Sequence, residues 1–476
     1  MNQNRPQSSQ EMPAMGDKVK TEEVCIDISL LGLADDACRE GRGPDSRRWC
    51  ALFLYWLLST TQAGFWGTFS SVPWEVTEGH FPDQGVTKFT VDTLLNWGLI
   101  VFVPALVPAM WLHAQRAQGL LLALRLAALL TAAGAVVRCL PSVIFAHVGQ
   151  IFIGLAGPLV WNACGSFSSA WFPPEERTFA TAVGGGGSYL GSGIQFLAVL
   201  PVTTAERFGT FLYAEAVWGV AVLFVTFLAL PAGPRWAPSV SAASHVDSGN
   251  SAMEAIRHFG ADLAAAGRNS SIWLIGLGAG IASGLYGIFS SSFPVVLHKD
   301  EGSTLAKVLG FASILAFVVG SVLIGYVSDR FFQRELKKLL VICFAVCLAG
   351  VLVFAIACPS PISSEGLIRS QEVRFTAIVV LSMANGGIFP VAIELAAEIV
   401  FPTEESVVVG AITTFNTIIG IWYLLGMDRI PNIYVSSPVF VGTILGLAFV
   451  LCADERYLRR DADERSRSRG ESARQR

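Results

Sequence analysis

The feature that most constrains this chain is a series of apolar runs, each about as long as a bilayer is thick. A helix needs roughly 20 mostly apolar residues to cross the hydrocarbon core. Twelve stretches meet that requirement: 49–72, 91–112, 120–140, 144–171, 178–201 and 209–230, then 272–297, 305–327, 336–358, 375–400, 406–426 and 434–452. They are numbered spans one to twelve below. Composition agrees with them. The chain is 53% hydrophobic and 15% charged, with a mean hydropathy of +0.54, whereas soluble domains carry roughly 25% charged residues. The expectation is an all-α membrane protein.

The runs fall six and six. Between them, 232–271 is rich in Ala, Ser, Gly and Pro, as a linker should be. Within it, Ile256, Phe259 and Leu263 have helical spacing, which predicts a short surface helix. The expected organisation is an N-terminal tail (1–47), a six-helix bundle (48–231), a central loop (232–271), a second six-helix bundle (272–453) and a charged tail (454–476). The polar first 47 residues lack the pattern of a cleavable signal peptide. Basic residues concentrate at Arg47 and Arg48, Arg116, Arg177, the central loop, Arg330 to Lys338, and after span twelve. By the positive-inside rule both termini are cytosolic. A net charge of −4 offers nothing to nucleic acid, and the nine cysteines have neither paired nor zinc-like spacing. No cofactor or metal is expected.

The run Pro173-Pro174-Glu175-Glu176-Arg177 interrupts the apolar pattern. It reads as the cytosolic loop between spans four and five. Gly184 to Gly187 follow within span five, although each glycine costs about 1 kcal/mol against alanine inside a helix. Close approach of a neighbouring helix explains such a run better than a hinge does.

Gly325-Tyr326-Val327-Ser328-Asp329-Arg330 after span eight resembles the G-x-x-x-D-R loop signature of the major facilitator superfamily. In the first half the equivalent loop reads Trp111-Leu112-His113-Ala114-Gln115-Arg116, with Ala114 at the aspartate position. A twelve-helix fold of two six-helix halves follows from the resemblance. Further matches run through both halves: Arg138 to Pro141, Gly149-Gln150, Gly154 to Pro158, Asn162-Ala163, Trp171-Phe172, Glu176-Arg177, Ala180 to Ala182, Tyr189 to Gly191, Tyr213 to Glu215, and Pro390 to Pro402. Together they resemble solute carrier family 49, most of all its "disrupted in renal carcinoma" branch.

That resemblance implies a secondary transporter of a small organic nutrient working by alternating access, with proton-coupled carriage of pyridoxine (vitamin B6) as the first expectation. The sister branch, the leukaemia-virus subgroup C receptor proteins, handles choline and ethanolamine and is linked to haem. A facilitative carrier of that type is the alternative, and a non-transporting receptor or sensor is a third. The first-helix tryptophan that boxes the ammonium in the choline carriers corresponds to Trp66. Their helix-four glutamine falls on Gly157, and their seventh-helix aromatic falls beside Tyr286.

In transporters of this kind substrate binds near the bilayer midplane between the halves. Mid-span residues suited to a flat neutral or cationic ring are Gln62, Trp66, Trp161, Asn162, Tyr189, Tyr286, Phe289, Asn385 and Asn416. The competing explanation for each is helix packing. Buried acids are rarer, and an intramembrane carboxylate is a functional candidate by default. Glu394 and Glu398 lie one turn apart on one face of span ten and are the expected proton-coupling pair. Their alternative role is to pair with an arginine and lock the inward gate. Asp329, Arg330, Glu176 and Arg177 are the expected gate and loop residues.

No catalytic triad, metal cluster or phosphate loop occurs, so an enzyme is not expected. The expected partners are a small-molecule substrate, protons and the bilayer. Asp27-Ile28-Ser29-Leu30-Leu31 has the form of an acidic dileucine, in which Asp27, Leu30 and Leu31 would recruit sorting adaptors. That places the protein in the lysosomal membrane, with the plasma membrane as the alternative.

Overall fold

The computed structural model describes residues 44–239, 241–242, 252–291, 303–358, 360–361, 366–368, 370–427, 431 and 434–474. Among these, nine helices are long and apolar enough to cross a membrane. The other three expected positions are helical too: Arg48–Trp66, the glycine-rich Arg177–Ala198, and the shorter Ser436–Cys452. Hydropathy alone passes over these three because glycine, hydroxyl groups or shortness dilute their apolar content.

Local chemistry sets the helix ends. Span two, Lys88–Ala114, starts at a capping box in which Thr87 and Thr90 each satisfy the other's backbone N–H. Span six, Ala205–Ala229, starts at Thr204, whose side chain accepts from the Arg207 amide. Span four is two helices, Val143–Trp161 and Ala163–Trp171, joined at Asn162. Pro158 sits one turn before the joint and removes a helix hydrogen bond there.

Within each half, span one packs on five, three on four, two on four, seven on eleven and twelve, and nine on ten. Between the halves, span five packs on eight and span two on eleven. Burial separates the centre from the rim. In span ten, Gln371–Val400, 78% of the apolar window is buried, against 28% in span two. Span ten is therefore central, whereas span two turns residues such as Phe89 and Ile100 outward, to be covered by lipid.

The glycines of span five act as contact surfaces. A Cβ on Gly191 would lie 2.1 Å from the Thr60 carbonyl oxygen of span one. On Gly184 it would lie 2.4 Å from the Tyr55 ring. Only glycine permits this approach.

Two helices lie outside the spans. The linker helix Ala252–Arg268 buries Phe259 but leaves Ile256 and Leu263 exposed. The region read as a charged tail forms a second helix, Leu458–Arg474, docked against span ten.

Candidate functional site

At the middle of the bundle, five aromatic rings from both halves form a continuous chain. Trp161 of span four meets Tyr189 of span five edge-on at 5.2 Å and Phe389 of span ten at 6.0 Å. Tyr189 lies 4.1 Å from Phe317 of span eight, which stacks on Tyr286 of span seven at 5.3 Å. Offset and edge-on contacts such as these suit ring quadrupoles. The void beside them is lined by Thr181, Gly185, Gly186, Ser321 and Gly386 and measures about 10 Å³, room for about one water molecule. The path is closed in this conformation.

Polar atoms around this chain are left over. Trp161 Nε1, Asn162 Oδ1 and Asn385 Oδ1 are buried and find no hydrogen-bond partner among the described residues, whereas the Asn416 amide pairs with the Tyr189 hydroxyl. Native structures rarely leave such groups unpaired. One donor and two acceptors from both halves are therefore free for a ligand or water. The remaining amide hydrogens hold the frame: Asn162 Nδ2 donates across the halves to the Ser406 carbonyl at 3.2 Å, and Asn385 Nδ2 to Ala282 at 3.4 Å.

A second cluster lies at the end of the bundle that carries the C-terminus, the cytosolic end by the positive-inside distribution. Glu394 and Glu398 share one face of span ten and are 2% and 0% exposed. Arg459, in the first turn of the C-terminal helix, donates to Glu394, to Glu398 at 3.4 Å and to Glu405 of span eleven at 3.3 Å. Arg460 donates to Glu398 through Nε at 3.2 Å and through its backbone N–H at 3.0 Å. The first turn is the unfavourable end of a helix dipole for cations, by about 0.3–1 kcal/mol each, so the carboxylates decide the placement. Burial works to lower the Arg459 pKa, but Glu394, Glu398 and Glu405 outweigh it and hold the guanidinium above its ordinary value.

The signature loop closes the same end. Asp329 accepts from the backbone N–H groups of Thr178 at 3.2 Å and Phe179 at 2.8 Å. It thereby caps the start of span five from the opposite half, where the helix dipole favours an anion. Arg330 beside it is exposed. Arg177 is buried and donates to Ser239 at 2.7 Å and Ser241 at 3.2 Å in the linker, with Asp463 of the C-terminal helix 4.0 Å away. Glu176 pairs with Arg48 at 2.9 Å, within the first half.

The remaining sequence-predicted residues are placed as follows. Gln62 donates to the Ile153 carbonyl at 3.0 Å. Trp66 donates to the Leu95 carbonyl at 3.1 Å and lies against Gly98. Both are tied to neighbours in the first half, apart from the aromatic chain. Tyr286 donates to the Ser313 carbonyl at 3.2 Å, and Phe289 meets Phe354 edge-on at 5.3 Å. Asp27, Leu30 and Leu31 lie outside the described residues.

Sequence reasoning did not single out Phe317 and Phe389, because a phenylalanine within an apolar run carries no mark of its own. It counted Arg459 and Arg460 only as orienting charges, and it missed Glu405 and Asp463. Adjacent arginines just past the last span were the available signal for the pairing. A further buried pair lies toward the opposite end. Arg138 meets Glu215 at 2.9 Å and also donates to Gln150, while Thr68 and Gln195 donate to Glu215. It lies wholly within the first half.

Known proteins are similar to this chain over most of its length. The solute carrier family 49 member 4 homolog of Xenopus tropicalis is 27% identical over 439 residues, 86% of this chain and 92% of that protein. The choline/ethanolamine transporter FLVCR1 of Felis catus is 26% identical over 429 residues, 84% and 72% respectively. Among solved structures, the E. coli fucose:proton symporter FucP superposes with a TM-score of 0.59 at 13% identity, covering 85% of this chain and all of that one. The likeness to FucP is one of fold. The sequence profile of the Major Facilitator Superfamily matches residues 49–423. A match that runs from the first span into the eleventh cannot come from one shared motif, and the chain therefore belongs to the Major Facilitator Superfamily, as a transporter of the solute carrier family 49 and FLVCR type.

Proposed function

We propose that this transporter moves pyridoxine, or a closely similar flat heterocycle, by alternating access coupled to protons, and that it does so in the lysosomal membrane. The observation that carries the reading is the build of span ten. Phe389 forms part of the aromatic chain, and Glu394 and Glu398 follow on the same helix within about two and a half turns. One helix thus joins the ring-binding wall to a buried acid pair, so protonation of the acids can bias the position of the wall.

The aromatic chain suits a planar ring by stacking. The free donor on Trp161 and the free acceptors on Asn162 and Asn385 suit ring nitrogen and hydroxyl groups. No carboxylate is needed at the ring itself.

A second reading has support of its own. An uncharged aromatic site also attracts quaternary ammonium, and FLVCR1 is a choline/ethanolamine transporter. The deciding experiment traps the protein at the cell surface by Leu30→Ala with Leu31→Ala and measures uptake of labelled pyridoxine and choline at acidic and neutral outside pH. Acid-stimulated pyridoxine uptake supports the first reading. Choline uptake indifferent to pH supports the second. Uptake of neither overturns both.

A further inference from the structure

The counter-ions of the acid pair come from outside the bundle. Three buried carboxylates, Glu394, Glu398 and Glu405, face two guanidinium groups, Arg459 and Arg460, and both arginines belong to the C-terminal helix. The other charged groups facing the cluster are Arg177 at the start of span five, Asp463 on the C-terminal helix and Asp329 at the end of span eight. Arg177 and Asp463 face each other, and Asp329 is spent on the cap of span five. Arg459 and Arg460 are thus the cations that lie directly on the acids.

The same helix ties three other parts of the molecule together. Asp463 accepts from the Ser241 amide at 2.7 Å and from its hydroxyl at 2.9 Å, in the linker between the halves. Asp461 and Glu464 both receive Arg334 from the loop after span eight. Tyr457, just before the helix, donates to neither half's aromatic chain but accepts the Leu336 amide at the start of span nine. The helix therefore crosses from the second half to the linker and to Arg177 of the first half.

We propose that Arg459 and Arg460 are the exchangeable counter-ions of the acid pair. In the closed state they hold Glu394 and Glu398 ionised, and the cytosolic end opens when protons on those two carboxylates take their place and the C-terminal helix withdraws. This rests on the reading of Glu394 and Glu398 as the coupling acids. Withdrawal without protons would strip the guanidinium groups from two buried carboxylates, which is strongly unfavourable. A proton on each of Glu394 and Glu398 removes that cost, and Glu405 lies in the first turn of span eleven, where the helix dipole favours an anion. The arginines are positioning residues: they set which state the acids stabilise and do not touch substrate.

Native Cys164 reports on this step. It is buried in span four beside Gly165, where a Cβ would meet Val409 of span eleven at 2.6 Å. The neighbouring Gly165 lies on the seam between the halves, so parting of the halves there shortens the route of a thiol reagent to Cys164. The experiment uses the full chain in proteoliposomes, treats it with N-ethylmaleimide and follows modification of Cys164 by peptide mass spectrometry, with fold checked by thermal unfolding. N-ethylmaleimide attacks the thiolate, so each rate is divided by that of the unfolded chain at the same pH; on that scale Cys164 of the unaltered protein should be protected at neutral pH and more reactive at acidic pH. Arg459→Gln removes the donor to three carboxylates; it should raise modification at neutral pH by roughly tenfold or more and should abolish the response to acid. Arg459→Lys keeps the charge and should restore most of that response.

Asp463→Asn leaves the acid pair untouched and releases only the tie to Ser241 and Arg177. It should raise modification at neutral pH and keep the response to acid, and it remains informative if Arg459→Gln fails to fold. Unchanged protection of Cys164 in Asp463→Asn, together with unchanged protection or misfolding in Arg459→Gln, overturns the proposal. If Arg459→Gln exposes Cys164 while the unaltered protein ignores pH, the tail is a latch without proton exchange. That result overturns the coupling role of Glu394 and Glu398 separately.

Discussion

Replacing Glu394 by glutamine tests the coupling assignment most directly, because glutamine has the shape of the protonated acid and cannot take up a proton. The structure sets how far the perturbation should reach. The cluster holds three carboxylates and two guanidinium groups, a net charge of −1, and Glu394→Gln brings it to zero. Arg459 keeps Glu398 at 3.4 Å and Glu405 at 3.3 Å, so no cation is stranded. The loss is that of one charge-assisted hydrogen bond exchanged for a neutral one, roughly 1–2 kcal/mol and near a tenfold shift toward the open state. The protein should fold, bind substrate and exchange it across the membrane. Accumulation driven by a pH gradient should fall sharply, because a gradient acts only through groups that titrate and one of the pair no longer does. Counterflow exchange and gradient-driven uptake of labelled pyridoxine in the same proteoliposomes separate the two. Lowered affinity in both assays would make Glu394 a substrate contact. Intact gradient-driven accumulation would refute the proton role.

Four further outcomes follow from the geometry. Gly191→Ala should reduce thermal stability and yield sharply, since its Cβ would lie 2.1 Å from the Thr60 carbonyl and such overpacking costs about 1–3 kcal/mol or more; Gly185→Ala, whose Cβ meets nothing within 4 Å, should raise the unfolding temperature slightly, since alanine is favoured over glycine inside a helix by about 1 kcal/mol. Asp329→Ala removes both caps on span five, worth about 1.5–3 kcal/mol each as bonds to a charged group, and should favour the inward-open state, read as faster modification of Cys164. Glu215→Gln leaves Arg138 buried without its counter-ion, at a cost of about 3–5 kcal/mol; it should lower the unfolding temperature while any protein that folds keeps its pH profile. Leu30→Ala with Leu31→Ala should move the protein from endolysosomes to the cell surface, and an unchanged distribution by microscopy would remove the sorting assignment.

The apolar runs determined the fold class and the positions of the twelve helices, because a bilayer imposes one length and one composition on whatever crosses it. The same logic made Glu394 and Glu398 visible: a carboxylate in a central span stands out against its surroundings. The glycine run Gly184 to Gly187 of span five announced a close approach, and Gly184 and Gly187 make one, whereas Gly185 meets nothing within 4 Å. Which helices came close was not legible. Thr60 and Tyr55 become the neighbours only once spans one and five lie side by side.

What only the tertiary structure decided is who meets whom. Phe317 and Phe389 look like any phenylalanine in an apolar stretch, and they become part of one aromatic chain because spans eight and ten bring them to Tyr189 and Trp161. Arg459 lies 61 residues from Glu398 along the chain, and its tail has the composition of a solvated segment. Neither hydropathy nor spacing ties it to span ten. Composition and periodicity report how each segment meets its solvent, and here that solvent is lipid. The pairing of buried charges depends on which surfaces remain after the helices have packed, a property of the assembled bundle and of no segment within it.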